Sequence, residues 1–192
     1  MDFKQSGIID SLFQAKIRDN GTELDYTEEE YNKFCNQFER GFPIGTLDFT
    51  GQQIGMNILT KLTKVLRESK HIRSFQLYGN LIRDHGIHSL YQLLISNPGV
   101  VILDVGCNDF TNQAVPCLID IILSTFIKSL QIGVTGLAWH NNKFNVQSLH
   151  ELLIAIQSCN RIQCLGLSGL KLSVRHGARR ISIAEPFADY LR

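Results

Sequence analysis

The sequence predicts an α/β repeat fold, a solenoid in which short parallel strands line the concave side and α-helices cover the convex side. Three observations predict it. The strand-like positions Leu47, Phe75 and Leu103 follow one another at intervals of 28 residues. An asparagine recurs at a fixed place after the strands of Phe75 and Leu103, and apolar residues at helical steps of three and four follow each strand. Because one such unit cannot bury its apolar face alone, the units must stack on one another.

The strand half of each repeat follows the pattern L-x-x-L-x-L-x-x-N-x-L. It is complete in the copies that begin at Ile72 and Val100. The copy that begins at Ile44 has Gln52 in place of the asparagine, and the copy that begins at Ile162 has Leu170 there. About five repeats are therefore predicted.

One repeat is longer than the others. It begins at Ile127, and its pattern is completed only by Asn142 and Phe144. The step from Leu130 to Leu165 is 35 residues, which is seven more than the usual 28. These extra residues predict an insertion near 134–140, and insertions in repeats map to surface loops.

The helix half of each repeat gives an independent check on the register. Counted from the last apolar residue of the strand half, apolar residues fall at +5, +8 and +12 in four copies, which is one face of a helix. The copies are Leu59, Leu62 and Leu66; Ile87, Leu90 and Leu94; Val115, Leu118 and Ile122; and Leu149, Leu152 and Ile156.

Residues 44–172 resemble leucine-rich repeats of the ribonuclease-inhibitor-like class, in which long units carry α-helices. The resemblance implies a horseshoe for the domain of residues 44–192. The repeated position of Asn80, Asn108 and Asn142 separately predicts a structural ladder, because each side-chain amide can bond backbone groups left unpaired where a strand turns away. Gln52 could partly substitute in that role, whereas Leu170 could not.

The two ends of the chain depart from the repeat. In residues 1–43, the capping box Thr27-Glu28-Glu29-Glu30 predicts a helix over 28–40, with Phe34 and Phe38 on its apolar face, as an N-terminal cap. After Leu172, the helical spacing resumes only if SVRHGAR is another insertion. No capping element follows it. Two interpretations are open: either the chain is part of a longer repeat protein, or a partner covers that end.

Composition excludes several function classes. The chain has 44% hydrophobic and 19% charged residues and a net charge of +1, which argues against a nucleic-acid binder. No apolar run is long enough to span a membrane. The N-terminus lacks the features of a signal peptide, and the odd number of cysteines indicates reduced thiols, so we expect a cytoplasmic protein.

No catalytic constellation, metal site or cofactor site is predicted. His85 and His88 lie three residues apart but lack the glutamate and third ligand of a metalloenzyme motif. Cys159 and Cys164 could form a redox pair, although buried structural roles suit them better. We therefore expect no enzyme activity.

The predicted concave face is the first candidate for a protein-binding surface. It is small, polar and slightly acidic, and Tyr78 is its one aromatic residue. Its candidate contact residues are Asp48, Gln76, Tyr78, Asp104 and Gln131. The alternative is that this face is only solvated.

The predicted insertion is the second candidate, because it carries Trp139, the one tryptophan of the chain, beside His140. The alternative is that Trp139 packs against its own loop. A basic cluster at Arg175, His176, Arg179 and Arg180 could meet an acidic or phosphate-bearing partner, or it could be an ordinary solvated loop.

These features predict a non-enzymatic scaffold that binds other proteins, and we expect it to be part of a large assembly. The resemblance implies placement in the cytoskeleton or in a ciliary axoneme, since chains of this class often act as scaffold subunits there. The alternative is a regulator of a small GTPase or another enzyme, similar to the activators of Ran or the inhibitors of ribonucleases.

Overall fold

The computed structural model describes residues 45–66, 72–134, 141–176 and 179–183. The predicted N-terminal cap over 1–43, including its helix over 28–40, lies outside the described residues. So do Trp139, His140 and the apolar positions after residue 183.

Five short parallel strands form one sheet in the order of the chain. They are β1 (Thr46–Asp48), β2 (Ser74–Gln76), β3 (Ile102–Asp104), β4 (Ser129–Gln131) and β5 (Cys164–Gly166). Leu47 is paired with Phe75, Phe75 with Leu103, Leu103 with Leu130, and Leu130 with Leu165. The prediction of parallel strands is confirmed, and equivalent positions of successive repeats are register partners.

Four helices connect and follow these strands, as the apolar periodicity predicts. They are α1 (Met56–Val65), α2 (Arg83–Ile95), α3 (Val115–Ser124) and α4 (Val146–Cys159). The N-termini of two helical segments are capped by side chains. Thr111 caps a 3₁₀ turn (Asn112–Ala114) that leads into α3, and Asn145 accepts a hydrogen bond of 2.8 Å from the N–H of Ser148 in α4. No helix of the described part is both long and apolar enough to cross a membrane.

A single apolar core fills the space between the sheet and the helices. The middle residue of each of the first four strands is at most 1% exposed, and the helix positions at +5, +8 and +12 join the same cluster. The two neighbours of each middle residue therefore lie on the opposite side of the sheet. Burying a side chain of the size of Phe75 stabilises the fold by about 1.5–3 kcal/mol.

The stretch after Leu172 differs from its prediction as a loop insertion. It forms an antiparallel hairpin of β6 (Ser173–His176) and β7 (Arg179–Ser182), separate from the five-stranded sheet. Val174 and Ile181 are register partners in it. β-branched residues favour strands, and the short Gly177-Ala178 connection suits a hairpin, so the segment has a local preference that repeat spacing alone does not reveal.

Candidate protein-binding face

The sheet has one side that no element of the described chain covers. We call it the polar sheet face. Its members are the residues of two rows that run across the five strands and of a third row just after the strands: Thr46, Ser74, Ile102, Ser129 and Cys164; Asp48, Gln76, Asp104, Gln131 and Gly166; and Thr50, Tyr78, Gly106, Gly133 and Ser168. Ile102 is 40% exposed in its centre. These rows hold two carboxylates and no lysine or arginine.

The middle row alternates carboxylates and amides across four strands. The Oδ1 atoms of Asp48 and Asp104 each accept a hydrogen bond of 2.9 Å from the backbone N–H two residues later. Gln76 donates from Nε2 to Ser74 Oγ at 2.8 Å. Gln131 Oε1 is buried without a hydrogen-bond partner. The two carboxylates therefore have fixed orientations before a partner arrives.

Asp104 is the more buried of the two carboxylates. Burial raises the pKa of its carboxyl above the ordinary value, the N–H of Gly106 partly opposes this, and the nearby charge of Asp48 raises the pKa further. No cation of the described chain forms an ion pair with it. Asp104 is thus a half-buried anion that a cationic group of a partner would stabilise.

Tyr78 lies across the exit of the neighbouring strand β3. A Cβ atom on Gly106 would stand 3.0 Å from Cδ2 of Tyr78 and 3.2 Å from Cε2, so the ring packs where only a glycine leaves room. The side chain of Tyr78 hydrogen-bonds that of Cys107. Burial raises the pKa of the Cys107 thiol, this hydrogen bond lowers it, and the charge of Asp104 raises it. Tyr78 is therefore held in place at both its ring and its hydroxyl end.

Three buried asparagines join neighbouring repeats beneath the strand exits. Asn80 Nδ2 donates to the carbonyls of Phe49 and Leu77 at 2.9 and 2.8 Å, and its Oδ1 accepts from the N–H of Ile54 at 2.9 Å. Each amide therefore satisfies backbone groups of its own repeat and of the preceding one.

The other two asparagines repeat this pattern. Asn108 Nδ2 donates to the carbonyls of Leu77 and Gly106. Asn142 Nδ2 donates to the carbonyls of Val105 and Ile132. Gln52 does not take part, because its Nε2 reaches only the carbonyl of Thr50, at 3.4 Å. Leu170 is 9% exposed and packs in the core.

Comparison with known proteins finds similarity in structure but not in sequence. No protein-family model and no curated protein matches the sequence. Actin-binding site 2 of leiomodin-1 has a TM-score of 0.62 at 14% identity, over 87% of this chain and 89% of that chain. The C-terminal domain of a Caenorhabditis elegans tropomodulin has a TM-score of 0.57 at 16% identity, over 86% of this chain and 92% of that chain.

The similarity is one of fold. It fits a leucine-rich-repeat fold, in agreement with the in-register strands and the repeat spacing. At this identity, it establishes nothing about which residues act.

The structure brings together the predicted face residues Asp48, Gln76, Tyr78, Asp104 and Gln131 on one side of the sheet. Trp139 and His140 lie outside the described residues. Asn141, which follows them, donates from Nδ2 to the carbonyl of Gly169 at 2.8 Å. The described residues contain no group of three or more His, Cys, Asp or Glu side chains that could hold a metal ion.

Three inter-repeat residue pairs were not predicted from the sequence. Asp84 accepts hydrogen bonds from both the N–H and the hydroxyl of Thr111, at 2.7 and 2.6 Å. Asp109 forms ion pairs with Arg83 and Lys143. Their signal in the sequence is weak, because each pair joins residues about one repeat apart at positions outside the leucine-rich pattern.

Proposed function

We propose that this chain is a non-enzymatic protein-binding module of the actin cytoskeleton, and that the polar sheet face is its contact surface. One observation carries the proposal. The face is uncovered within the described chain, yet its main polar groups are already held by backbone and side-chain hydrogen bonds. Preorganised groups lose little conformational freedom on binding, which favours association.

The chemistry of the face indicates the kind of partner. Asp48 and Asp104 stand in one row without a neighbouring cation on the face, and Ile102 and Tyr78 add apolar and aromatic surface beside them. A partner segment that presents arginine or lysine would place its charge against Asp104 and its aliphatic stem against Ile102 or Tyr78.

The choice of actin comes from the similarity in fold. The leiomodin-1 domain is an actin-binding site, and its fold matches most of this chain. No comparable finding supports a ciliary axoneme, so we propose the actin cytoskeleton. Regulation of a GTPase or another enzyme stays a prediction, because no observation in the described residues favours it over binding alone.

We also infer that the repeats curve as a horseshoe of the ribonuclease-inhibitor-like class. Neighbouring parallel strands stand about 4.8 Å apart, whereas packed helices need about 8–10 Å. With helices of 10 to 14 residues on one side of the sheet, the stack must bend with the strands inside. The polar sheet face would then be concave.

The test is binding of the full chain to actin filaments by cosedimentation, and to monomeric actin by fluorescence anisotropy. Tyr78→Ala and Asp104→Lys should each weaken binding by about tenfold or more, as expected for contact residues near the centre of an interface. Two controls make similar changes outside the rows of the face: Phe126→Ala, between α3 and β4, at a side chain that is 59% exposed, and Asp120→Lys on α3. Both controls should bind as the wild type does.

Each other outcome rejects a stated part of the proposal. If the chain binds neither actin filaments nor monomeric actin, actin is rejected as the partner. Binding that is lost in the controls but kept in the face variants would reject the polar sheet face and move the contact to the helices.

A further inference from the structure

The hairpin of β6 and β7 concentrates positive charge. Arg175 is the register partner of Arg180, and His176 is the register partner of Arg179. Residues 171–183 contain four lysines and arginines and no acidic residue. Like charges directly opposite each other destabilise a strand pair, and a two-stranded hairpin is only marginally stable. The clustered positive charge therefore lowers the stability of the hairpin, and the folding of the hairpin gives no reason for it.

Ser182 is the last residue of β7, and its side chain is exposed. Arg179 and Arg180 stand three and two residues before it. No other serine or threonine in the sequence has arginine at both of these positions. Kinases that recognise basic substrates select a serine through such upstream arginines, which bind carboxylates of the enzyme. We propose that Ser182 is a phosphorylation site for an arginine-directed serine kinase.

Access by a kinase to Ser182 requires a local opening of the hairpin. Ser182 lies in extended backbone, and its Oγ stands 3.5 Å from the carbonyl of Leu172, which is long for an O–H···O hydrogen bond. The next residue, Ile183, is 2% exposed and donates its N–H to the same carbonyl at 3.1 Å. A kinase would therefore have to lift the end of β7. Opening a marginal hairpin costs far less than unfolding the repeats.

The reaction uses ATP with Mg²⁺ as the co-substrate. Oγ of Ser182 forms a bond to the γ-phosphorus, and the bond from that phosphorus to the β–γ bridging oxygen breaks. ADP leaves with the electron pair of the broken bond, and the hydroxyl proton passes to the catalytic base of the kinase.

The register shows what the new phosphate would do. Ser182 is the register partner of Ser173, and it is two residues after Arg180, whose own register partner is Arg175. A phosphate with a charge of about −2 would join a hairpin whose strands carry three arginines, and its charge would offset their repulsion. Phosphorylation would stabilise the hairpin and remove most of its positive charge. The inference does not depend on actin as the partner.

The test uses the full chain, the catalytic subunit of a cyclic-AMP-dependent protein kinase, and ATP with Mg²⁺. Mass spectrometry should find a single added phosphoryl group, located on Ser182. Ser182→Ala should incorporate none. Ser173→Ala is the matched control, because Ser173 lies opposite in the same hairpin without upstream arginines, and it should react as the wild type does.

A double variant tests the role of the arginines. Arg179→Ala with Arg180→Ala should slow incorporation by more than about tenfold, because two charge-assisted contacts to the kinase are lost. Two results would overturn the proposal. One is no reaction of the native chain while a peptide of residues 176–186 is phosphorylated under the same conditions. The other is full incorporation in Ser182→Ala.

Discussion

The ring of Tyr78 packs against the backbone of Gly106, the residue at the exit of the next strand. A side chain on Gly106 would come within 3.0 Å of the ring and would overlap the carbonyl oxygen of Gly133. The placement of the aromatic residue on the polar sheet face therefore depends on a glycine in the neighbouring repeat. This relationship and others like it lead to four predictions.

Gly106→Ala should destabilise the fold by about 1–3 kcal/mol, because the added Cβ has to displace backbone and not only a flexible side chain. The free energy of unfolding in urea, followed by circular dichroism, measures this. Gly45→Ala is the control, since a Cβ there meets no heavy atom within 4 Å, and its effect should stay within about 0.5 kcal/mol. Equal effects of the two substitutions would contradict the close approach of Gly133 and Tyr78 to Gly106.

Asn80→Ala should destabilise the fold by about 3 kcal/mol or more. It removes three hydrogen bonds of 2.8–2.9 Å and leaves the N–H of Ile54 buried without its acceptor, whereas the carbonyls of Leu77 and Phe49 each keep one other donor. Gln52→Ala changes the corresponding position of the preceding repeat, which makes one long hydrogen bond, and should cost less than about 0.5 kcal/mol. Urea unfolding of both variants is the measurement, and similar losses would show that the buried amide has no special role.

Asp104→Asn should make the protein more stable near neutral pH but not in acid. The folded-state pKa of Asp104 is raised, chiefly by burial, which means that the fold favours the protonated carboxyl. The wild type is therefore most stable below the unfolded-state pKa of this group, and it loses that stability as the pH rises through the folded-state pKa. Asparagine keeps an acceptor for the N–H of Gly106 without the charge. The gain should be less than about 1 kcal/mol, because the group is partly solvated.

Thermal unfolding of wild type and Asp104→Asn between pH 3 and pH 7 tests this prediction. The difference in melting temperature should grow as the pH rises above the ordinary range of an aspartate. A constant difference across that range would mean that the pKa of Asp104 is not raised. A direct NMR titration of its carboxyl group gives an independent check.

We predict that residues 1–43 cap the first repeat. Strand β1 is at the edge of the five-stranded sheet, yet Leu47 and Phe49 are at most 1% exposed. Phe34→Asp with Phe38→Asp should therefore destabilise the fold by about 2 kcal/mol or more, because both would put a charge on the predicted apolar face of the cap. Glu28→Ala and Glu39→Ala, which change charge away from that face, serve as controls for urea unfolding. No loss of stability in the double phenylalanine variant would reject the cap.

Much of the fold could be predicted because the repeat couples sequence distance to spatial distance. Leu47, Phe75 and Leu103 are 28 residues apart, and they are register partners in the sheet. The alternation of apolar and polar residues around each of these positions separates the core from the polar sheet face, because successive strand residues point to opposite sides of the sheet. The spacing of Ile87, Leu90 and Leu94 predicted the buried side of α2 in the same way.

The hairpin and the contacts between repeats were harder to predict. Ser173–His176 and Arg179–Ser182 follow no repeat position, and the helical spacing seen after Leu172 favoured a loop there. The hydrogen bonds from Thr111 to Asp84 depend on how two particular repeats meet. The contact between Cys107 and Tyr78 was not predicted from the sequence. The backbone of Cys107 has a φ of 54°, a left-handed conformation that is uncommon for a residue other than glycine.

The sequence by itself determined the order of the five repeat strands and their helices, the register of the five-stranded sheet and the residues of its polar face. These follow from periodicity, since burial of the same apolar positions in every unit leaves one stacking register. Only the tertiary structure decided how that face is arranged: Tyr78 lies across Gly106 and reaches Cys107, and Asp104 is half-buried between two amides. Those relations depend on contacts between neighbouring repeats, where a missing side chain in one unit makes room for a large one in the next.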